Sequence, residues 1–139
     1  MASNKFVPIP YSREHLTRSR DHWLPFLPAI ARAGKQSLDE VLEEVISGRV
    51  QIGIIWNGEK ALALIGLQTR RRGDQTVGEI VWASGPGMTE WRELLPAVEQ
   101  YLKEHFKCDI CKPICRPGWQ KFLKTRGYRT THVMMERAL

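Results

Sequence analysis

The sequence predicts a mixed α/β (α+β) fold, a mostly antiparallel sheet flanked by helices, on three observations. Two turn signals, Asn57-Gly58 and Arg72-Gly73-Asp74, divide residues 50–84 into three apolar runs of strand character. An amphipathic helical pattern follows at 89–106, and then a strand, a helix and a last strand. Two helical stretches precede residue 50, so both faces of the sheet can be covered. The order is β-α-α-β-β-β-α-β-α-β, an antiparallel meander running into a β-α-β unit.

Each element has its own local reason. "KFVPIP" reads as a short edge strand that prolines terminate. Residues 12–34 read as helical, broken near Pro25 and Pro28. "SLDEVLEEVISG" is a second helix: Ser37 and Glu40 fit a capping box, Leu38, Val41, Leu42 and Val45 form its stripe, and Gly48 ends it. "VQIGIIW", "KALALIGLQTRRR" and "TVGEIVWAS" are the meander strands. In the third, period-two alternation sets Val77, Glu79 and Val81 on one face, and Gly78, Ile80 and Trp82 on the other. "TEWRELLPAVEQYLKEHF" is capped by Thr89 and turns Trp91, Leu94, Leu95, Val98, Tyr101 and Leu102 to one side. "CDICKPICR" reads as a strand, "GWQKFLKTRG" as a short helix closed by Gly127, and "YRTTHVMMERAL" as the final strand.

The 139 residues suit one domain, 1–139, and 42% hydrophobic with 26% charged residues is an ordinary globular mixture. No apolar run reaches the roughly 18 residues of a membrane span, and no signal peptide is expected. Three cysteines are an odd number for a disulfide framework, so a reducing cytoplasm is the expected setting. The net charge of +6 is concentrated. Residues 107–139 hold eight basic side chains against Asp109 and Glu136, which accounts for the chain's whole excess. Such an end suits an anionic partner: a phosphorylated cofactor, nucleic acid or an acidic protein surface, and equally a solvated basic face.

Several chemistries are excluded or set aside. No P-loop or nucleophile elbow is present. His105, Cys108, Cys111 and Cys115 have ligand types that suit zinc, but an extended strand from Cys108 to Cys115 separates its ends by about 23 Å. The expectation is no metal site. Arg70-Arg71-Arg72 is read as a solvated turn, and His15, His22 and His132 as structural.

Two stretches carry a resemblance. Trp82-Ala83-Ser84-Gly85-Pro86-Gly87 lies between a meander strand and a long helix, and Phe122 to Tyr128 reads F-L-K-T-R-G-Y. Together with the element order they resemble the GNAT acetyltransferase superfamily, and in particular small GNAT-like proteins of bacteriophages and prophages. The first stretch lies where the family has a pyrophosphate loop of pattern Q/R-x-x-G-x-G/A. The resemblance implies acetyl-CoA as cofactor, if the protein is enzymatic, held by Gly85, Gly87, Met88 and Thr89. It implies Glu79 as a candidate base, with Tyr128 a weaker catalytic candidate. The departures are Trp82 for Gln/Arg, Pro86 without an N–H between the glycines, and Leu123 where a tyrosine often acts as general acid.

These departures favour a non-catalytic structural or adaptor component of a virion, with protein partners in the virion or in a homo-oligomer and no membrane association. The other reading is an acetyl-CoA-dependent N-acetyltransferase acting on an amine of a small molecule or protein. The expected location is the bacterial host's cytoplasm or the virion.

Overall fold

The computed structural model describes residues 4–85 and 92–139. Strand β1 (Lys5–Pro8) leads to helices α1 (Arg13–Arg18) and α2 (Arg20–Trp23), a 3-10 turn at Leu24–Phe26, α3 (Leu27–Ala33) and α4 (Leu38–Ile46). The meander is β2 (Gln51–Trp56), β3 (Ala61–Arg72) and β4 (Gln75–Ser84). A 3-10 turn (Arg92–Leu94), α5 (Leu95–His105), β5 (Ile110–Pro113), a 3-10 turn (Pro117–Trp119) and α6 (Gln120–Thr125) complete the order. The sheet order is β1-β2-β3-β4-β5, antiparallel throughout except for the parallel β4–β5 pair.

Local chemistry explains the boundaries. The Ser37 hydroxyl accepts from the Glu40 N–H, and the Glu40 carboxylate accepts from the Ser37 N–H, so the capping box is complete. Those bonds hold the Glu40 carboxyl below its ordinary range. Pro25 and Pro28 each open a new helical turn, and Pro96 opens α5. Of the helix expected over 89–106, residues 89–91 with the Thr89 cap lie outside the described residues, and the 3-10 turn at Arg92–Leu94 leads into α5 at Leu95. The first helical stretch has a further break at Ser19, whose hydroxyl donates to the His15 carbonyl. In the first hairpin the Asn57 side chain accepts from the Glu59 and Lys60 N–H groups, and Gly58 takes φ 100°.

Two apolar clusters lie on opposite faces of the sheet. Helices α1–α4 put Leu16, Trp23, Leu27, Ile30, Val41 and Val45 against Ile52, Ile54 and Leu64. Helices α5 and α6 put Leu95, Val98, Leu102 and Leu123 against Ile55, Ile65, Leu67 and Ile80. Central strands buried on both faces read as continuous apolar runs, as Gly53 to Ile55 and Ala63 to Leu67 do.

Three expectations are corrected. Residues 128–139 form no strand: Val133, Met134 and Met135 are 73%, 90% and 92% exposed, and Glu136 instead pairs with Lys35 at 2.9 Å. Alternation and β-branched residues favour a pleated surface but do not make a strand without a ladder partner. Second, the strand expected over "CDICKPICR" is limited to Ile110–Pro113, and its last bond to β4 is the Ile114 N–H donating to the Ile80 carbonyl. Third, the alternation in β4 does not run through. Leu67 pairs with Ile80 but Gly66 pairs with Trp82, so Val81 is the extra residue of a β-bulge. Trp82 thereby joins the face of Gly66, where a Cβ on Gly66 would lie 2.7 Å from the indole.

Leu27 has 0% exposure at the centre of the first cluster. Leu27→Ala is expected to cost about 2–5 kcal/mol by transfer and cavity terms. Urea unfolding with an unchanged m-value checks this; a loss below about 1 kcal/mol would contradict the packing described.

Candidate functional site

The site begins where two strands part. The parallel ladder runs from Val77–Ile110 to Ile80–Pro113, with a last bond from the Ile114 N–H to the Ile80 carbonyl at 2.9 Å. Beyond that point β4 continues to Ser84, paired with β3 alone. A cavity of about 560 Å³ opens in the gap. Its floor is Ile65 and Ile80, one wall is the end of α3 (Ile30, Ala33, Gly34), and another is Leu95, Val98 and Leu123. Residues 81–85 line its β4 side, while Cys115, Arg116 and Trp119 line the side that follows β5. This volume and largely apolar lining suit a small-molecule ligand or cofactor arm.

Gly85 lines the cavity at φ 148°, and a Cβ there would lie 2.3 Å from the Leu62 carbonyl oxygen. Only glycine fits this corner. Gly87, Met88 and Thr89 lie outside the described residues. The chain is described again at Arg92. Its guanidinium lies 5.0 Å from the centre of the Phe122 ring, and its buried Nε has no hydrogen-bond partner among the described residues. Phe122 meets Trp119 edge-on at 6.3 Å, which links Arg92 to the cavity wall.

The other candidates are not brought to this cavity. Glu79 is 8% exposed, one residue before Ile80; its carboxylate lies 3.3 Å from Arg70 Nε and does not line the space. Tyr128 belongs to a separate cluster. Its hydroxyl donates to Glu99 at 2.5 Å, Arg126 lies 3.8 Å from the same carboxylate, and Cys111 hydrogen-bonds the hydroxyl. Burial, followed by the Cys111 and Glu99 contacts, pushes the tyrosine well above its ordinary value. Burial pushes the Cys111 thiol up to about 11, against the lowering effect of the Tyr128 hydrogen bond. Cys115 is also raised by burial. Among the described residues no group of three or more His, Cys, Asp or Glu could hold a metal ion.

Sequence reasoning missed Arg116, Trp119 and the α3 wall. Arg116 was counted only within the basic end; its place between a strand-terminating proline region and "PGW" was the available signal. The α3 wall left no signal, because Ala29, Ala33 and Gly34 are small residues whose role is to leave space.

The five-stranded, mostly antiparallel sheet flanked by helices has the fold of GNAT acetyltransferases, as the comparison with solved structures shows. The chain is similar over 98% of its length to 98% of glucosamine-6-phosphate N-acetyltransferase from Arabidopsis thaliana, at 15% identity and TM-score 0.62. It matches over 99% of its length 96% of aminoglycoside N-acetyltransferase AAC(6')-Iy, determined in complex with CoA, at 13% identity and TM-score 0.65. A possible acetyltransferase from Clostridium difficile 630 aligns over 99% of this chain and 98% of its own, at 10% identity and TM-score 0.63. No protein-family model matches the chain, and no curated protein matches it. Nothing in these comparisons supports the phage-like part of the resemblance. Among the described residues no helix is long and apolar enough to cross a membrane.

The thiol cluster gives a pH prediction. A thiol raised in the folded state keeps its proton after the unfolded chain has lost it, so stability is full below about pH 9 and declines as pH rises towards 11. Cys111→Ala is expected to remove up to about 2–3 kcal/mol of that decline. Urea unfolding at pH 8 and pH 10.5 measures it; equal pH slopes in the two proteins would show that the thiol is not shielded.

Proposed function

We propose that the protein is an acyl-CoA-dependent N-acyltransferase, with acetyl-CoA as the expected donor, acting on an amine. The observation that carries this is the cavity at the parting of β4 and β5, closed at one end by the Gly85 corner. Fold likeness supports the reading, and the CoA complex of one structural neighbour supports the cofactor class.

The residues fit such a group. Gly85 allows close backbone approach at the end of β4, and Arg92 has a buried Nε without a hydrogen-bond partner among the described residues. Beyond Ile80 the β4 edge faces the cavity without β5, so an amide-bearing arm can lie along it as an added strand. Acetyl-CoA, when bound, supplies a thioester-activated acetyl group. The chain itself positions and excludes water: Ile65, Ile80, Leu95 and Val98 make a dry floor, and Trp82, swung inward by the bulge, narrows the α3 side.

Among the described lining residues no carboxylate or imidazole acts as base. In this reading rate enhancement rests on positioning. Trp82 and Leu123 both line the cavity. They are departures close to the chemistry, and they remove a proton donor and not the space for a ligand.

Calorimetric titration with acetyl-CoA is expected to show saturable micromolar binding. Gly87→Glu, which sets a carboxylate against the phosphates, is expected to weaken it at least tenfold, as like-charge juxtaposition costs several kcal/mol. Absence of saturable binding up to millimolar acetyl-CoA would sink the reading and return the fold to a non-catalytic role.

A further inference from the structure

Resting on that reading, we propose that the acceptor is an amine that also carries an anionic group, and that Arg116 recognises the anion. Arg116 is the one formally charged side chain among the described residues lining the cavity. It lies three residues after β5, exposed to solvent, and forms no ion pair or side-chain hydrogen bond among the described residues. A guanidinium stays charged at any working pH and presents a fork that fits a carboxylate or phosphate. Beside an apolar floor, an uncompensated cation of this kind selects against further positive charge.

The opposite case is disfavoured by the same lining. A polycationic acceptor would need carboxylates to replace its lost hydration, and none is present among the described lining residues. Glu79, the nearby acid on β4, is already paired with Arg70. Arg92 does not line the cavity, so among the described residues Arg116 supplies the guanidinium open to a ligand there. Ile30, Ala33, Trp82 and Ile114 line the same cavity and suit an apolar body on the acceptor. In the transfer itself the neutral nitrogen forms the new N–C bond and gives its proton to water. The thioester C–S bond breaks, and the departing thiolate takes a proton from solvent.

The test compares leucine with 3-methylbutylamine, which differ by the carboxylate, and O-phosphoethanolamine with ethanolamine, in a thiol-release assay with acetyl-CoA. The anionic member of at least one pair is expected to have about tenfold higher kcat/KM. The pair with the larger ratio identifies carboxylate or phosphate as the group. Arg116→Gln should erase the ratio through KM, with acetyl-CoA affinity unchanged within about twofold, and Arg116→Lys should keep part of it. Equal rates within both pairs, a preference for spermidine, or an Arg116→Gln variant that loses acetyl-CoA affinity and keeps the ratio would overturn the proposal. Titration of leucine and of O-phosphoethanolamine without CoA, followed by tryptophan fluorescence, separates the two readings. Binding lost in Arg116→Gln supports the anion site even where acetyl-CoA fails to bind, and no response to either compound in that case overturns it.

Discussion

The constraint on which the structure depends is the parting of β4 from β5. A parallel pair at a sheet edge would ordinarily extend as far as its shorter strand permits. Here β5 is four residues long and its last bond to β4 runs from the Ile114 N–H to the Ile80 carbonyl, while β4 runs four residues past the last paired position. The bulge at Val81 bends β4 at the same level. A short strand on one side and an extra residue on the other thus open the sheet at one place, and the cavity is the space that results.

Holding that gap open requires firm material on both faces. The α1–α4 layer packs on Ile52, Ile54 and Leu64, and the α5–α6 layer on Ile55, Ile65 and Leu67, so adjacent residues of the same strands anchor opposite layers. The gap cannot collapse without moving one of these layers, and close-packed interiors resist such displacement. Glycines adjust the layers where side chains would collide. A Cβ on Gly78 would lie 2.8 Å from Leu102, so α5 sits as near the sheet as it does because that position is bare.

Much of the frame was legible in the sequence because its signals were local. The Ser37–Glu40 capping box, the Asn57-Gly58 turn and the apolar meander each report on neighbouring residues, and each is present. What was not legible depended on partners distant in sequence. The bulge at Val81 is a register shift against Gly66 and Leu67, which period-two counting along β4 cannot detect. The last stretch had the alternation of a strand, yet Glu136 meets Lys35, 101 residues away, and no ladder forms. At the site, the Gly85 corner was visible as a glycine needed for backbone geometry. The role of Arg116 was not, since a basic residue in a basic region gains meaning only from the apolar surface it borders.

The ionisable groups divide between two places, and the division bears on mechanism. Tyr128, Glu99 and Cys111 satisfy one another beneath α5 and α6, with Arg126 close to the carboxylate. Groups that bond each other when buried are held in fixed protonation states, the tyrosine and the thiol both neutral. They tie the segment after α6 to the domain face. The cavity, by contrast, holds apolar walls, a raised thiol at Cys115 and the cation of Arg116. In the proposed reading, a site so equipped discriminates by charge and shape and accelerates by placement. The most polar buried cluster and the sparsely charged gap are thus separate places in the fold, each with its own chemistry.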